Sequence, residues 1–450
     1  MFSAVDGFRT VSINVANGYF STFNANATFF SCIPSSDGNV LYLCGQADPT
    51  GTDTNILWLK VNNVNGARIS SQKMLGNSLA ESGLIAALDS SENSYVSGST
   101  RVGSSPTQTN ATIAKYSSTG NLVWQKQLVA PLLPNGSALY SQVACENGGG
   151  NIYTSGTVAI NTGSSLDPTG IDQIVKYDSN GNILYQKQTA YFLDANTVYD
   201  SSINDLTVDS SNNLYITGYV PQSFDSNVSY RTSGFVQKRN SSDTVQWDCN
   251  FYDSTNTSNV FIIQSVVDSS GNVYACGDVS SNFIKPGILS KIHSNGAISW
   301  VKDFANCDIT TVSLDNTGNI FVAGRLKTDS SNSWYASIDE STGNVSWQNF
   351  LQITGANIII TDINYANSYL YMGGYSSSNT FSGFSMKVAS DGNTTGSYGF
   401  VNINTGNVFV SNSSISSGGD DVSFANTSLA NLTGNASQLT GSVSRRIIPF

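Results

Sequence analysis

"DSSGNVYACG", residues 268–277, decides the fold. Its first half, Asp-Ser-Ser-Gly-Asn, carries the residues of a tight turn. Its second half is a short apolar-alternating run ending in Cys276 and Gly277. Alone, the stretch fits a calcium loop, a redox motif or one hairpin of a scaffold. Six sister stretches discriminate between these: "SDGNVLYLCG" (36–45), "SSENSYVSG" (90–98), "NGGGNIYTSG" (147–156), "DSSNNLYITG" (209–218), "DNTGNIFVAG" (315–324) and "YANSYLYMGG" (365–374). Their terminal glycines recur at roughly 50-residue spacing, the period of propeller blades.

A second motif falls between the copies of the first. It reads "AKYSSTGNLVWQKQL" (114–128), "VKYDSNGNILYQKQT" (175–189), "QKRNSSDTVQWDCNF" (237–251), "SKIHSNGAISWVKDF" (290–304) and "ASIDESTGNVSWQNF" (336–350), with weaker copies at 59–74 and 386–400. A lysine recurs at one place (Lys60, Lys115, Lys176, Lys238, Lys291, Lys387), and the sixth copy has Ser337. An aromatic follows the turn at Trp124, Tyr185, Trp247, Trp300 and Trp347. Alternation with β-branched and aromatic residues gives four strands per period, in the fifth repeat near 262–268, 272–279, 287–293 and 297–304. The expected fold is all-β: a seven-bladed β-propeller of four-stranded antiparallel blades, followed by a Ser/Asn/Thr-rich C-terminal arm.

The division is 1–26 as an N-terminal segment able to supply a closing strand, 27–404 as the propeller, and 405–450 as an extended arm for attachment or assembly. Two segments compete to complete the seventh blade, 17–24 ("NGYFSTFN") and 394–402. From about 413 the arm has only isolated apolar residues and lacks the mass to fold alone. It is expected to order against a partner or against the propeller, with a disordered tail as the rival reading. Its end, Arg445, Arg446, Ile447, Ile448 and Phe450, is the candidate assembly contact.

The repeats also weigh the chemistry. The turn Asp is replaced in some copies, and no bidentate acid follows at calcium-loop spacing, so turn geometry explains the motif better than a metal does. The slot before the Gly holds Cys44 and Cys276 but also Ser97, Ser155, Thr217, Ala323 and Gly373, a column of small residues rather than of sulfur. The six cysteines have no CxxC spacing and are expected as buried free thiols, with one or two disulfides as the rival reading. His293 is expected beside a turn, not in a triad. Paired carboxylates of a glycosidase would leave no linear motif. The Lys column, six times repeated, is expected to be structural, with its stem along the blade and its amine in water.

The D-S-S-G-N-V-Y-x-x-G unit followed by A-K-Y-x-S-x-G-N-L-x-W-Q-K resembles the bacterial β-propeller repeat called the SBBP repeat, which is similar to quinoprotein-like propellers. "DESTGNVSW" (339–347) and "SSTGNLVW" (117–124) carry that likeness, which spans about residues 27–402. The quinoprotein resemblance implies a quinone-dependent dehydrogenase with calcium, a catalytic Asp and often an adjacent Cys pair. None of these is placed in this chain, and no cofactor and no metal are expected.

Charged residues make up 11% of the chain and the net charge is -11. Such a surface repels phosphate, so no nucleic-acid partner is expected. Residues 1–20 show neither a basic nor an apolar signal region, and no apolar run is long enough to span a membrane, so no secretion signal and no membrane insertion are expected. Sequons such as those at Asn26, Asn110, Asn135 and Asn431 follow from the composition.

Within a blade, the connections between strands 1 and 2 and between 3 and 4 share one face. The longer connections lie on the other, where a site is easier to build. The longest, 188–202 and 220–233, are aromatic-rich and give the candidate contact set Tyr191, Phe192, Asp194, Tyr199, Tyr230 and Arg231 for a glycan or protein surface. The whole resembles marine bacteriophage virion proteins. That resemblance implies a non-enzymatic decoration or host-recognition component in a particle, with capsid or tail proteins as partners. A bacterial surface adhesion propeller is the alternative, and a glycosidase or quinone-dependent dehydrogenase comes behind it.

Overall fold

The computed structural model describes residues 10–446 apart from 24–26, 49–53, 70–72, 76–80, 102–108, 129–136, 161–168, 190, 195–196, 200, 223–230, 254–257, 281–285, 316, 328, 330, 377–381, 406–407, 414–415, 419–437 and 440–444. Seven antiparallel sheets form the blades of a propeller, each beginning on an inner strand: Thr28–Pro34, Glu81–Leu88, Ser137–Cys145, Ser202–Val208, Asn259–Val267, Thr311–Leu314 and Ile358–Ala366. In blade 5 the four strands are Asn259–Val267, Val273–Ser280, Gly287–Ile292 and Ile298–Phe304, within a few residues of the sequence reading.

The N-terminal segment closes the ring. Gly18–Phe23 pairs antiparallel with Gly383–Ala389, the third strand of blade 7, and Thr10–Val15 adds beyond it. Tyr19 stands opposite Lys387, the place that Trp300 holds opposite Lys291 in blade 5. The seventh copy of the second motif is therefore split between the two ends of the chain. Phe20 stacks on Phe384 at 5.3 Å, and Phe23 meets Phe29 of blade 1 edge-on at 5.1 Å. The rival segment goes elsewhere: Gly396–Tyr398 and Val401–Thr405 add to the outer strand of blade 6.

From there the chain runs backwards around the ring. Val410–Asn412 pairs with the outer strand of blade 5, Ser416–Gly418 with that of blade 4, Gln438–Leu439 with that of blade 2 and Arg445–Arg446 with that of blade 1. Each pairing uses the C-terminal end of the outer strand, for example Lys302–Phe304 in blade 5 and Asn250–Tyr252 in blade 4. Those ends lie at the long-connection face, so the described segments of the arm form a belt of short pairings at that rim. It covers strand edges that would otherwise be open to pairing.

Candidate functional site

The repeated residues form one polar chain per blade. In blade 5 the Asp268 carboxylate accepts the N–H groups of Ser270 and Asn272, both at 2.8 Å, the Asn272 side chain at 2.8 Å and the Tyr274 hydroxyl at 3.2 Å. Asp89 and Asp209 do the same. In blade 3 Glu146 takes the place, accepting from Asn151 and Tyr153 and pairing with Lys176 at 3.0 Å. The acid of the opening stretch thus holds its own turn. Next, Lys291 lies opposite Tyr274 with its amine 5.5 Å from the ring centroid, and five other blades repeat this cation–π pair. Blade 6 changes both members together, to Phe321 and Ser337, which face each other. The Lys column is structural, but the amine of buried Lys176 does not reach water as expected. The ring and Glu146 hold it instead.

In blades 2 to 5 the outer aromatic ties the blade to the next. The indole N–H of Trp124 donates to Ser179 O (3.0 Å), that of Trp247 to Ser294 O (2.9 Å) and that of Trp300 to Glu340 O (3.1 Å). In blade 3 the Tyr185 hydroxyl donates to Asp243 (3.2 Å). His293 sits in the receiving turn of blade 5, its N–H bonded to Ala297 O.

The terminal Gly of the first motif answers to a bulge. Each inner strand of blades 1–5 and 7 carries one extra residue, Phe30, Leu84, Ser141, Asn204, Ile263 or Thr361, opposite the region of that Gly. The bulge presses a carbonyl against the glycine. A Cβ on Gly277 would overlap Phe261 O, and the same holds at Gly45, Gly156, Gly218 and Gly374; Gly324 of blade 6 meets Asp308 O, just before that blade's inner strand. The neighbouring small slot is tight for a second reason: a Cβ on Gly373 would come within 2.9 Å of Cys32 Cβ in blade 1.

The residue after each bulge points to the axis. There the inner strands enclose a cavity of about 390 Å3. Asp205 accepts Ser265 N–H of blade 5 (2.9 Å), Gln264 accepts Val312 N–H of blade 6 (2.7 Å), Thr311 accepts Ile363 N–H of blade 7 (3.1 Å) and Asp362 accepts Cys32 N–H of blade 1 (2.7 Å). One register position therefore stitches five consecutive blades. Burial raises the carboxyl pKa of Asp205 to about 6 and of Asp362 to about 7, against the lowering effect of these bonds. Sequence reading missed this pair, because isolated inner-strand acids carry no motif.

A stability prediction follows for Asp362. The folded state holds its proton up to about pH 7, whereas the unfolded chain releases it near the ordinary carboxylate value. That contribution is complete below the unfolded value and is lost as pH rises through 7. Asp362→Asn, which keeps an acceptor for Cys32 N–H, is expected to exceed wild type at pH 8 by about 2 kcal/mol. At pH 5 the gap should shrink. Urea melts at both values check this, and a pH-independent difference would contradict it.

The six cysteines are free, and five are buried. Burial pushes the thiols up, those of Cys44, Cys145 and Cys249 to about 12, which disfavours the nucleophilic thiolate.

On the long-connection face, Tyr191–Asp194 and Thr197–Tyr199 form a hairpin between blades 3 and 4, with Tyr191 opposite Tyr199 and Phe192 opposite Val198. The backbone thus unites Tyr191, Phe192, Asp194 and Tyr199. Arg231 is half-buried at the start of a blade 4 strand, opposite Gln222. Tyr230 lies outside the described residues, as do Ile447, Ile448 and Phe450 of the arm. Arg445 and Arg446 lie on the blade 1 edge.

No family model matches the chain, and no curated protein does. The SBBP likeness therefore rests on the quoted motifs. Among solved structures, the chain is similar to Drosophila Semaphorin 2a at 9% identity, covering 85% of this chain and 75% of that one, with a TM-score of 0.48. The Dos1 propeller is 12% identical over 88% of this chain and 99% of that one (TM-score 0.42). A europium-containing methanol dehydrogenase is 12% identical over 81% and 80% (TM-score 0.42). Likenesses this distant attach no activity to the chain.

Proposed function

We propose that the protein is a non-enzymatic structural component of a phage particle. It serves as a propeller that decorates the capsid or tail or contacts the host surface, and its terminal arm attaches it. The observation that carries this reading is the belt. The C-terminal segment is a strand donor that docks by main-chain pairing on successive outer edges. A segment that adds to its own blades in this way can add to an open edge of a neighbouring protein by the same bonds. The belt also brings the arm to the rim that carries the Tyr191–Tyr199 hairpin, so attachment and host contact share one side.

An enzyme reading would rest on Asp205 and Asp362. Their engagement with backbone N–H groups of the next blade supports an architectural role instead. The test is truncation. Deletion of 413–450 is expected to leave a cooperative melt near that of the full chain and to abolish incorporation into particles, read by mass spectrometry of purified virions. Particles that carry the truncated chain at full occupancy, or that lack the full-length chain, would overturn the reading.

A further inference from the structure

An open groove of about 660 Å3 runs between the outer strand of blade 6, the last turn of blade 7 and the belt. It is lined by Trp347, against whose ring the turn glycine Gly392 packs. In blades 2, 4 and 5 the equivalent indole N–H donates to the next turn, but Trp347 makes no such bond among the described residues. In blades 2 and 5 the lysine two residues on, Lys126 or Lys302, lies over the turn glycine. Here that position is Asn349, which turns inward and donates to Gly392 O at 3.0 Å. No lysine stem lies among the atoms nearest Gly392, as is also the case at Gly296, which packs on Trp247 of blade 4. Gln348 fixes the far wall by bonding Val408 N and O at 2.8 and 3.4 Å. Phe409 stands on that wall with 70% of its surface exposed.

The rim is polar and nearly uncharged. Asn344, Ser346, Asp391 and Asn393 are exposed along it. Asp391 is held below the usual carboxylate range by bonds from Asn393, so it is an ionised acceptor. No lysine or arginine lines the groove among the described residues. The exposed Phe409 ring, the indole N–H of Trp347, amides and one carboxylate match a sugar: its C–H face packs on Phe409 and its hydroxyls bond the rim. The missing cations and the net charge of -11 disfavour acidic sugars.

We propose that this groove binds a neutral hexose unit of an oligosaccharide. The proposal does not depend on the particle reading: a chain that binds sugar here but is absent from virions overturns only the latter.

The full chain is titrated with maltoheptaose, cellohexaose and laminarihexaose, with polygalacturonate oligomers as the acidic comparison, by tryptophan fluorescence and calorimetry. At least one neutral oligosaccharide is expected to bind. Asp391→Asn and Trp347→Phe, which removes only the N–H donor and keeps a ring, should each weaken binding roughly tenfold. Trp300→Phe should not. Because Trp347 packs on Tyr335 and Phe321, the exposed Asp391 variant keeps the test valid if Trp347→Phe misfolds. Failure of all three neutral probes, affinity unchanged in folded Asp391→Asn, or preference for the acidic oligomers would overturn it.

Discussion

Deletion of residues 1–24 is expected to abolish folding. The segment is a small share of the chain, yet Gly18–Phe23 is the fourth strand of blade 7. Tyr19, Phe20 and Phe23 are buried to 1% exposure or less. Burial of each such ring contributes about 2–3 kcal/mol, and the whole domain has only about 5–15 to lose. The deletion also exposes the edge of Gly383–Ala389 and separates blade 7 from blade 1. The expected result is insoluble protein or a non-cooperative melt by circular dichroism. A synthetic peptide covering residues 10–24 should restore part of the transition. A cooperative melt within a few degrees of the full chain would show that the ring closes by other means.

Gly277→Ala is the largest single-residue effect expected. Most Gly→Ala changes in a strand are mild or helpful, because alanine loses less entropy on folding. Here the added carbon would overlap the Phe261 carbonyl oxygen and approach Ile262 Cα at 2.9 Å. Both are backbone atoms of an inner strand held on its other side by the ring, so neither can move alone. The loss should be about 4 kcal/mol or more, in the range reserved for a steric fault in a core. Gly355→Ala is the comparison. It has open space around its Cβ direction and carries only the strain of φ +76°, which costs about 1–2 kcal/mol. Equal urea midpoints for the two variants would contradict the bulge explanation.

Much of this architecture was legible in the sequence because its causes are local and repeated. Asx turns, Tyr–Lys cross-strand pairs and outer tryptophans each need one residue type at one place, so seven copies expose the pattern. The reason for Gly277 was not legible, since the bulge that demands it has no residue signature: Phe30, Leu84, Ser141, Asn204, Ile263 and Thr361 share nothing but position. Ring closure was half legible. Residues 17–24 offer a strand, but Lys387, the partner of Tyr19, lies at the other end of the chain. Docking of the arm on the propeller was one of two expected outcomes, but its path along the outer edges was not legible. The arm is held by main-chain bonds, and such bonds place little demand on sequence. Of the candidate contacts, four fall on one hairpin, whereas Arg231 belongs to a blade strand.

The two chain ends engage the ring differently, one as an integral strand and the other as an added belt. Hydrogen exchange of the full chain, followed by mass spectrometry, tests this most directly. Amides of Gly18–Phe23 should exchange as slowly as those of the paired strand Gly383–Ala389, through global unfolding only. Those of Val410–Asn412 should exchange faster, through release of the belt, while the blade 5 core stays protected. Rapid exchange in Gly18–Phe23 with full protection of Gly383–Ala389 would contradict the account.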